Sequence, residues 1–126
     1  GETVIPSQMV KGTLEGCVLA VISKKETYGY EISKQLMQYG FGKITEGTIY
    51  PLLLRLEKND FITATYQLSE LGPKRKYYGL TAKGARALDE FLHSYCEMAN
   101  AVNQLMKDLA GGMEHEQADE ALTQRK

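Results

Sequence analysis

Tryptophan is absent from this 126-residue chain, and several other residue types are scarce enough to exclude whole classes of chemistry. There are two cysteines and two histidines. Cys17 and Cys96 lie far apart and His93 and His115 stand alone, so neither type has the paired spacing of a metal site. The two thiols read as small buried hydrophobes in a reducing compartment, not as a disulfide framework. No apolar run approaches the ~18 residues of a membrane span. The N-terminus G-E-T-V-I-P has no basic segment leading into an apolar stretch, so no secretory signal is expected and the expected location is cytoplasmic. There is no Ser/His/Asp set, no phosphate-cradling glycine loop and no enclosed pair of carboxylates. An enzyme is not expected, nor is a cofactor or a metal.

Net charge is also small, −1 at pH 7, but its distribution is lopsided. Residues 43–86 carry eight basic side chains (Lys43, Arg55, Lys58, Lys74, Arg75, Lys76, Lys83 and Arg86) against four acidic ones, whereas residues 87–126 carry three against eight. Positive charge gathered in one segment is the footprint of a polyanion partner.

The periodicities place that segment in a fold. Pro6 and Ser7 open a first helix, with Leu14, Cys17, Val18, Val21 and Ile22 on one face. Thr27 is expected to cap a second helix from Tyr28 to about Tyr39, with Tyr28, Ile32, Leu36 and Tyr39 inward and a stop at Gly40-Phe41-Gly42. Gly29 gives room for a close neighbour. A third helix is expected from about Thr45, burying Ile49, Leu52, Leu53 and Leu56 and presenting Tyr50, Pro51, Leu54, Arg55 and Lys58 on its opposite side. Pro51 has no N–H to give to a helix, so the first half of this one is expected to be perturbed. Asn59-Asp60 ends it. Residues 61–68 alternate as a strand, with Ile62, Ala64, Tyr66 and Leu68 on one face, and Lys74 to Leu80 form the return strand.

Thr81 caps a last, long helix. Leu88, Tyr95, Val102 and Leu109 recur every seven residues, with Phe91, Met98 and Leu105 between them and Leu92 alongside, a heptad seam suited to a partner subunit. The expected architecture is mainly α with a small β-hairpin: a winged helix-turn-helix over residues 1–80, a dimerisation helix over 81–110 and a disordered tail over 111–126.

Three segments carry a more specific likeness: Y-G-Y-E-I-S-K-Q-L at 28–36, I-T-E-G-T-I-Y-P-L-L-L-R-L-E-K at 44–58 and G-P-K-R-K-Y-Y-G-L-T-A-K-G at 72–84. In this order and spacing the chain resembles the PadR-like transcriptional regulators, over residues 9 to 109. The single short C-terminal helix is similar to the small branch of that family typified by LmrR-type multidrug-sensing repressors. The resemblance implies a homodimeric repressor of a palindromic double-stranded DNA operator. Its recognition segment would be Thr45, Glu46, Gly47, Thr48, Tyr50, Pro51 and Arg55, and its wing contacts Lys74, Arg75 and Lys76, with Tyr77 and Tyr78 behind them. It also implies an inducer site for a small planar aromatic compound between the long helices, at Tyr95 and Met98. Two positions depart from the family pattern: Gly79 and Leu54 stand where relatives carry longer or basic side chains. Both imply a weaker electrostatic grip. A different reading remains open on the sequence alone: a winged-helix protein–protein interaction module that meets an acidic partner and never touches DNA.

Overall fold

The computed structural model describes residues 5–69 and 71–116. The elements run α1 (Ser7–Lys24), α2 (Gly29–Tyr39), α3 (Glu46–Lys58), β1 (Ile62–Ser69), β2 (Gly72–Leu80) and α4 (Ala82–Glu116). Three helices, a hairpin and a long closing helix make a winged helix-turn-helix.

α1 is buried on more than the one face its spacing predicts. Leu14, Val18, Val21 and Ile22 turn inward as expected, and Val10 and Leu19 join them. Gly16 makes this possible: a Cβ there would stand 2.2 Å from the Phe91 ring. The glycine that weakens the helix on its own is what lets an aromatic ring seat against its backbone.

α2 turns Ile32 and Leu36 into the core and ends on Gly40, whose φ of +105° suits a residue without a side chain. Its start and its last turn differ from expectation. Thr27 does not cap the helix. It stands in extended backbone and pairs with Tyr78 of the hairpin, its N–H reaching the Tyr78 carbonyl at 3.2 Å and its own carbonyl accepting the Tyr78 N–H at 2.7 Å. The α1–α2 connection is thus tied to the wing by a single β-bridge. Tyr39 is exposed, with its hydroxyl accepting from Lys24 Nζ at 2.7 Å.

α3 begins directly after Thr45 and runs through Pro51 to Lys58. Proline is its sixth residue, so the Gly47 carbonyl loses the donor four residues on. The helix survives because the other side is anchored: Ile49, Leu53 and Leu56 are fully buried and Leu52 nearly so. Burial of side chains of this size stabilises by about 1.5–3 kcal/mol each. Asp60 takes the left-handed conformation at φ 63° that turns the chain into β1.

β1 and β2 pair antiparallel from Ile62↔Leu80 to Gln67↔Arg75, with an irregularity before Ser69↔Gly72. Only the base of the hairpin meets the core. Ile62 and Tyr78 are buried, whereas Tyr66 and Leu68, expected on the same face as Ile62, are exposed because the hairpin outruns the helices beneath it.

Thr81 joins the wing to α4. Its hydroxyl donates to the Asp60 and Phe61 carbonyls and accepts the Gly84 N–H at 2.9 Å, which caps the new helix. Gly84 is forced by its surroundings, since a Cβ there would lie 1.9 Å from the Phe61 carbonyl oxygen. Two compact units divide the chain between Leu92 and His93. The first turns of α4 therefore belong with the winged helix and not, as expected, with a separate arm starting at residue 81. Leu88 is buried and Phe91 packs on the same core, so these two seam positions are core residues of the subunit itself. In the second unit α4 runs on to Glu116 without stopping near Ala110; the remainder of the expected disordered tail lies outside the described residues.

Thr27 also carries a buried hydroxyl with no hydrogen-bond partner. Such a group costs about 1–3 kcal/mol, and valine has the same shape and suits extended backbone. Thr27→Val is expected to raise unfolding stability by about 1 kcal/mol, while Gly84→Ala lowers it by at least about 1–3 kcal/mol through overpacking. Denaturant midpoints at one fixed protein concentration check both.

Candidate nucleic-acid interface

The buried stripe of α3 fixes the direction of its other side. Thr45, Glu46, Gly47, Thr48, Tyr50, Pro51, Leu54, Arg55 and Lys58 are all exposed, so the expected recognition segment lies on one open face. Thr45 is the N-cap by backbone position, but its hydroxyl meets Thr48 Oγ1 at 3.3 Å and no side chain caps the helix amides. An uncapped helix N-terminus presents N–H donors and the positive end of the helix dipole.

Tyr50 crosses this face. Its ring lies over Gly29, where a Cβ would stand 2.8 Å from Cε1, which is the close approach the glycine in α2 allows. The Tyr50 hydroxyl donates to Glu46 Oε1 at 2.9 Å. Partial burial, then this carboxylate, pushes the phenol above its ordinary value. The hydroxyl is thus held in one orientation next to the start of α3.

Arg55 extends toward α1. Its Nε and Nη2 both reach Glu15 Oε2 at 3.1 Å. On the wing, side chains alternate as the strand geometry requires. Arg75 lies on one side with its guanidinium 4.2 Å from the Tyr28 ring centroid, and Tyr28 in turn packs against Tyr77 at 5.2 Å. Lys76 lies on the other, 3.1 Å from Glu57 Oε1 and over the ring of Tyr78. The hydrogen bond to Glu57 raises the Lys76 pKa. Lys74 is exposed.

Between α2, α3 and the wing these side chains enclose an open cleft of about 460 Å³, lined by Tyr28, Gly29, Tyr30, Glu46, Tyr50, Leu54, Arg75, Lys76 and Tyr78. The structure thus brings α3 residues Glu46 and Tyr50 together with wing residues Arg75 and Lys76. Sequence reasoning missed Glu15, Glu57 and Tyr28 as their partners. Glu15 stands 40 positions before Arg55, and no local pattern joins them. Tyr95 and Met98 lie in the second unit, exposed on α4. Among the described residues no group of three or more His, Cys, Asp or Glu side chains is placed to hold a metal ion. No described helix is long and apolar enough to cross a membrane.

The sequence profile described as "Transcriptional regulator PadR-like family" matches residues 18–90. The structure is similar to that of a PadR-like transcriptional regulator from Bacillus cereus, with 52% identity and a TM-score of 0.73, covering 79% of this chain and 96% of that one. It is also similar to a Streptococcus transcriptional regulator, with 42% identity and a TM-score of 0.71, covering 79% and 97%. A transcriptional regulator of Mycobacterium tuberculosis is 26% identical over 98 residues, 78% of this chain and 83% of that one.

The tyrosines give this arrangement a pH signature. Burial raises the Tyr78 pKa, burial and Glu46 raise that of Tyr50, and Glu57 raises that of Lys76. Each group holds its proton more tightly when folded, so its contribution is complete below the unfolded value near pH 10 and is lost as pH rises through the folded value. Denaturant midpoints are expected to fall as pH rises above about 10, and Tyr78→Phe is expected to flatten that fall.

Proposed function

This chain belongs to the PadR-like family of transcriptional regulators, and from that membership we propose a dimeric, sequence-specific repressor that sets α3 in the major groove and the β1–β2 wing on the backbone. Members of the family are DNA-binding repressors, which are not enzymes. The observation that carries the proposal is the open face of α3: Glu46, Thr48, Tyr50, Arg55 and Lys58 are exposed within the compact unit that also holds the basic strand of the wing. In this reading Thr48, Tyr50 and Arg55 meet base edges or neighbouring phosphates, and Lys74 and Arg75 meet phosphates.

Dimerisation is supported by α4. Tyr95, Met98, Val102, Leu105, Met106 and Leu109 form a continuous apolar stripe, each between 46% and 64% exposed. Their spacing is the heptad spacing of a helix that packs on another helix. With Leu88 and Phe91 used in the subunit core, the seam is Leu92, Tyr95, Met98, Val102, Leu105 and Leu109. Two α3 helices related by a two-fold axis then meet half-sites about 34–36 Å apart. The short, LmrR-like branch that the motifs resemble is part of the same proposal. In that branch's manner, a planar aromatic inducer would lie at Tyr95 and Met98, where an aromatic face and a pliable thioether adjoin. It would act only through a different affinity for the two subunit spacings. The adaptor reading has no observation of its own.

Selection from a randomised duplex pool, followed by binding titrations at several salt concentrations, tests the proposal. Enrichment of a two-fold symmetric sequence is expected; retention of no sequence above the rest overturns it. Lys74→Ala and Arg75→Ala are expected to weaken all duplexes alike, each flattening the log K against log salt slope by about 0.9 for every phosphate left without its cation. Thr48→Ala is expected instead to change the base preferred at one position in each half-site. Leu105→Glu, a charge in the apolar stripe, is expected to shift sedimentation from dimer to monomer and to reduce operator binding.

A further inference from the structure

Two of the cations on the candidate interface are already occupied. Arg55 is held by Glu15 and Lys76 by Glu57, each at 3.1 Å, and the carboxylates come from α1 and α3, elements other than those bearing the cations. No carboxylate of the described residues pairs with Arg75 or Lys74. Arg55, Lys74, Arg75 and Lys76 therefore fall into two classes: Lys74 and Arg75, with no carboxylate to leave, and Arg55 and Lys76, which must first leave one.

We propose that Glu15 and Glu57 are specificity-determining residues: they hold Arg55 and Lys76 away from non-specific DNA and release them only when the operator is docked. This rests on the DNA-binding reading above. Exposed ion pairs are weak, about 0–1 kcal/mol, so a fully seated duplex displaces them. The Arg55–Glu15 pair is half exposed, and Lys76 and Glu57 are about a third exposed. A loosely held duplex touches Lys74 and Arg75, finds Arg55 and Lys76 still neutralised and meets two carboxylates beside them. Non-specific binding is almost wholly the electrostatic part of the affinity, so pairing these two cations weakens it most. On the operator, complementary base contacts hold the duplex close enough for the exchange, and the same cations count.

This makes the salt dependence the discriminating quantity. In the wild-type protein the operator should show a steeper slope than random DNA, by about 0.9 for each paired cation that exchanges. Glu15→Gln and Glu57→Gln keep the shape and remove the charge. The double variant is expected to bind a random-sequence duplex about three- to tenfold more tightly at moderate salt. Its random-DNA slope should rise toward the operator slope, with operator affinity changed much less. The thermal midpoint, expected to stay near that of the wild type, shows that the variant is folded. In the wild-type protein itself, the Arg55 Nε–H resonance should move on addition of the selected operator and stay in place with random DNA. If the wild type prefers its operator but the variant leaves random-DNA affinity and slope unchanged, or if Arg55 responds alike to both duplexes, the carboxylates have no such role. If the wild type prefers no sequence, the DNA-binding proposal fails, and this one with it.

Discussion

The interface depends on one rotation angle. Ile49, Leu52, Leu53 and Leu56 are sealed in the core, and a helix anchored by four residues spaced over two turns cannot turn about its axis. Truncating any of them to alanine would cost about 2–5 kcal/mol, so the orientation is secured by a sizeable share of a small domain's stability. Everything on the opposite side of α3 inherits its direction from that stripe. The same anchoring explains how the helix carries Pro51 at its sixth position. Tertiary packing, not propensity, holds the first turns together.

A second constraint fixes the wing relative to α3. The hairpin is too short to be stable alone. It is held at its base by Ile62 and Tyr78 in the core and by the backbone pairing of Tyr78 with Thr27. Arg75 stacked on Tyr28, and Tyr50 lying over Gly29, add side-chain contacts between the wing, α2 and α3. These link three segments distant in sequence into one surface. The wing cations are thus placed by the same core that aims α3, and the outer half of the hairpin extends beyond it with Tyr66, Leu68 and Leu71 in solvent.

Periodicity makes much of this legible and also marks where legibility ends. The α3 stripe can be read because four apolar residues at helical spacing admit one buried face. The glycine stop at Gly40 and the Thr81 cap can be read because each has a local cause. Thr27 misleads because a threonine ahead of a helix looks the same whether its backbone caps the helix or pairs with a distant strand. Tyr66 and Leu68 alternate faultlessly, yet alternation does not say where the layer beneath a strand ends. Leu88 and Phe91 fit the heptad as well as Tyr95 does. The repeat gives the face of a helix and not the point at which that face leaves its own subunit's core. The partners of Arg55 and Lys76 leave no signal, because surface ion pairs join residues that only the fold brings together.

The charge distribution gains a physical meaning from these pairs. A chain with a net charge of −1 has no overall attraction to a duplex, so approach must be oriented. The segment 87–126, with its excess of acidic residues, is repelled while the segment 43–86 is drawn in. Within the attracting segment, Glu57 lowers the local field beside Lys76, and Glu15 does the same at Arg55 from α1. On the wing strand, Lys74 and Arg75 have no carboxylate partner among the described residues. In the proposed reading, long-range attraction acts first on the wing, and α3 is committed only at close range, where hydrogen bonds to base edges outweigh the loss of a weak ion pair. A surface with every cation bare would bind sooner and discriminate less.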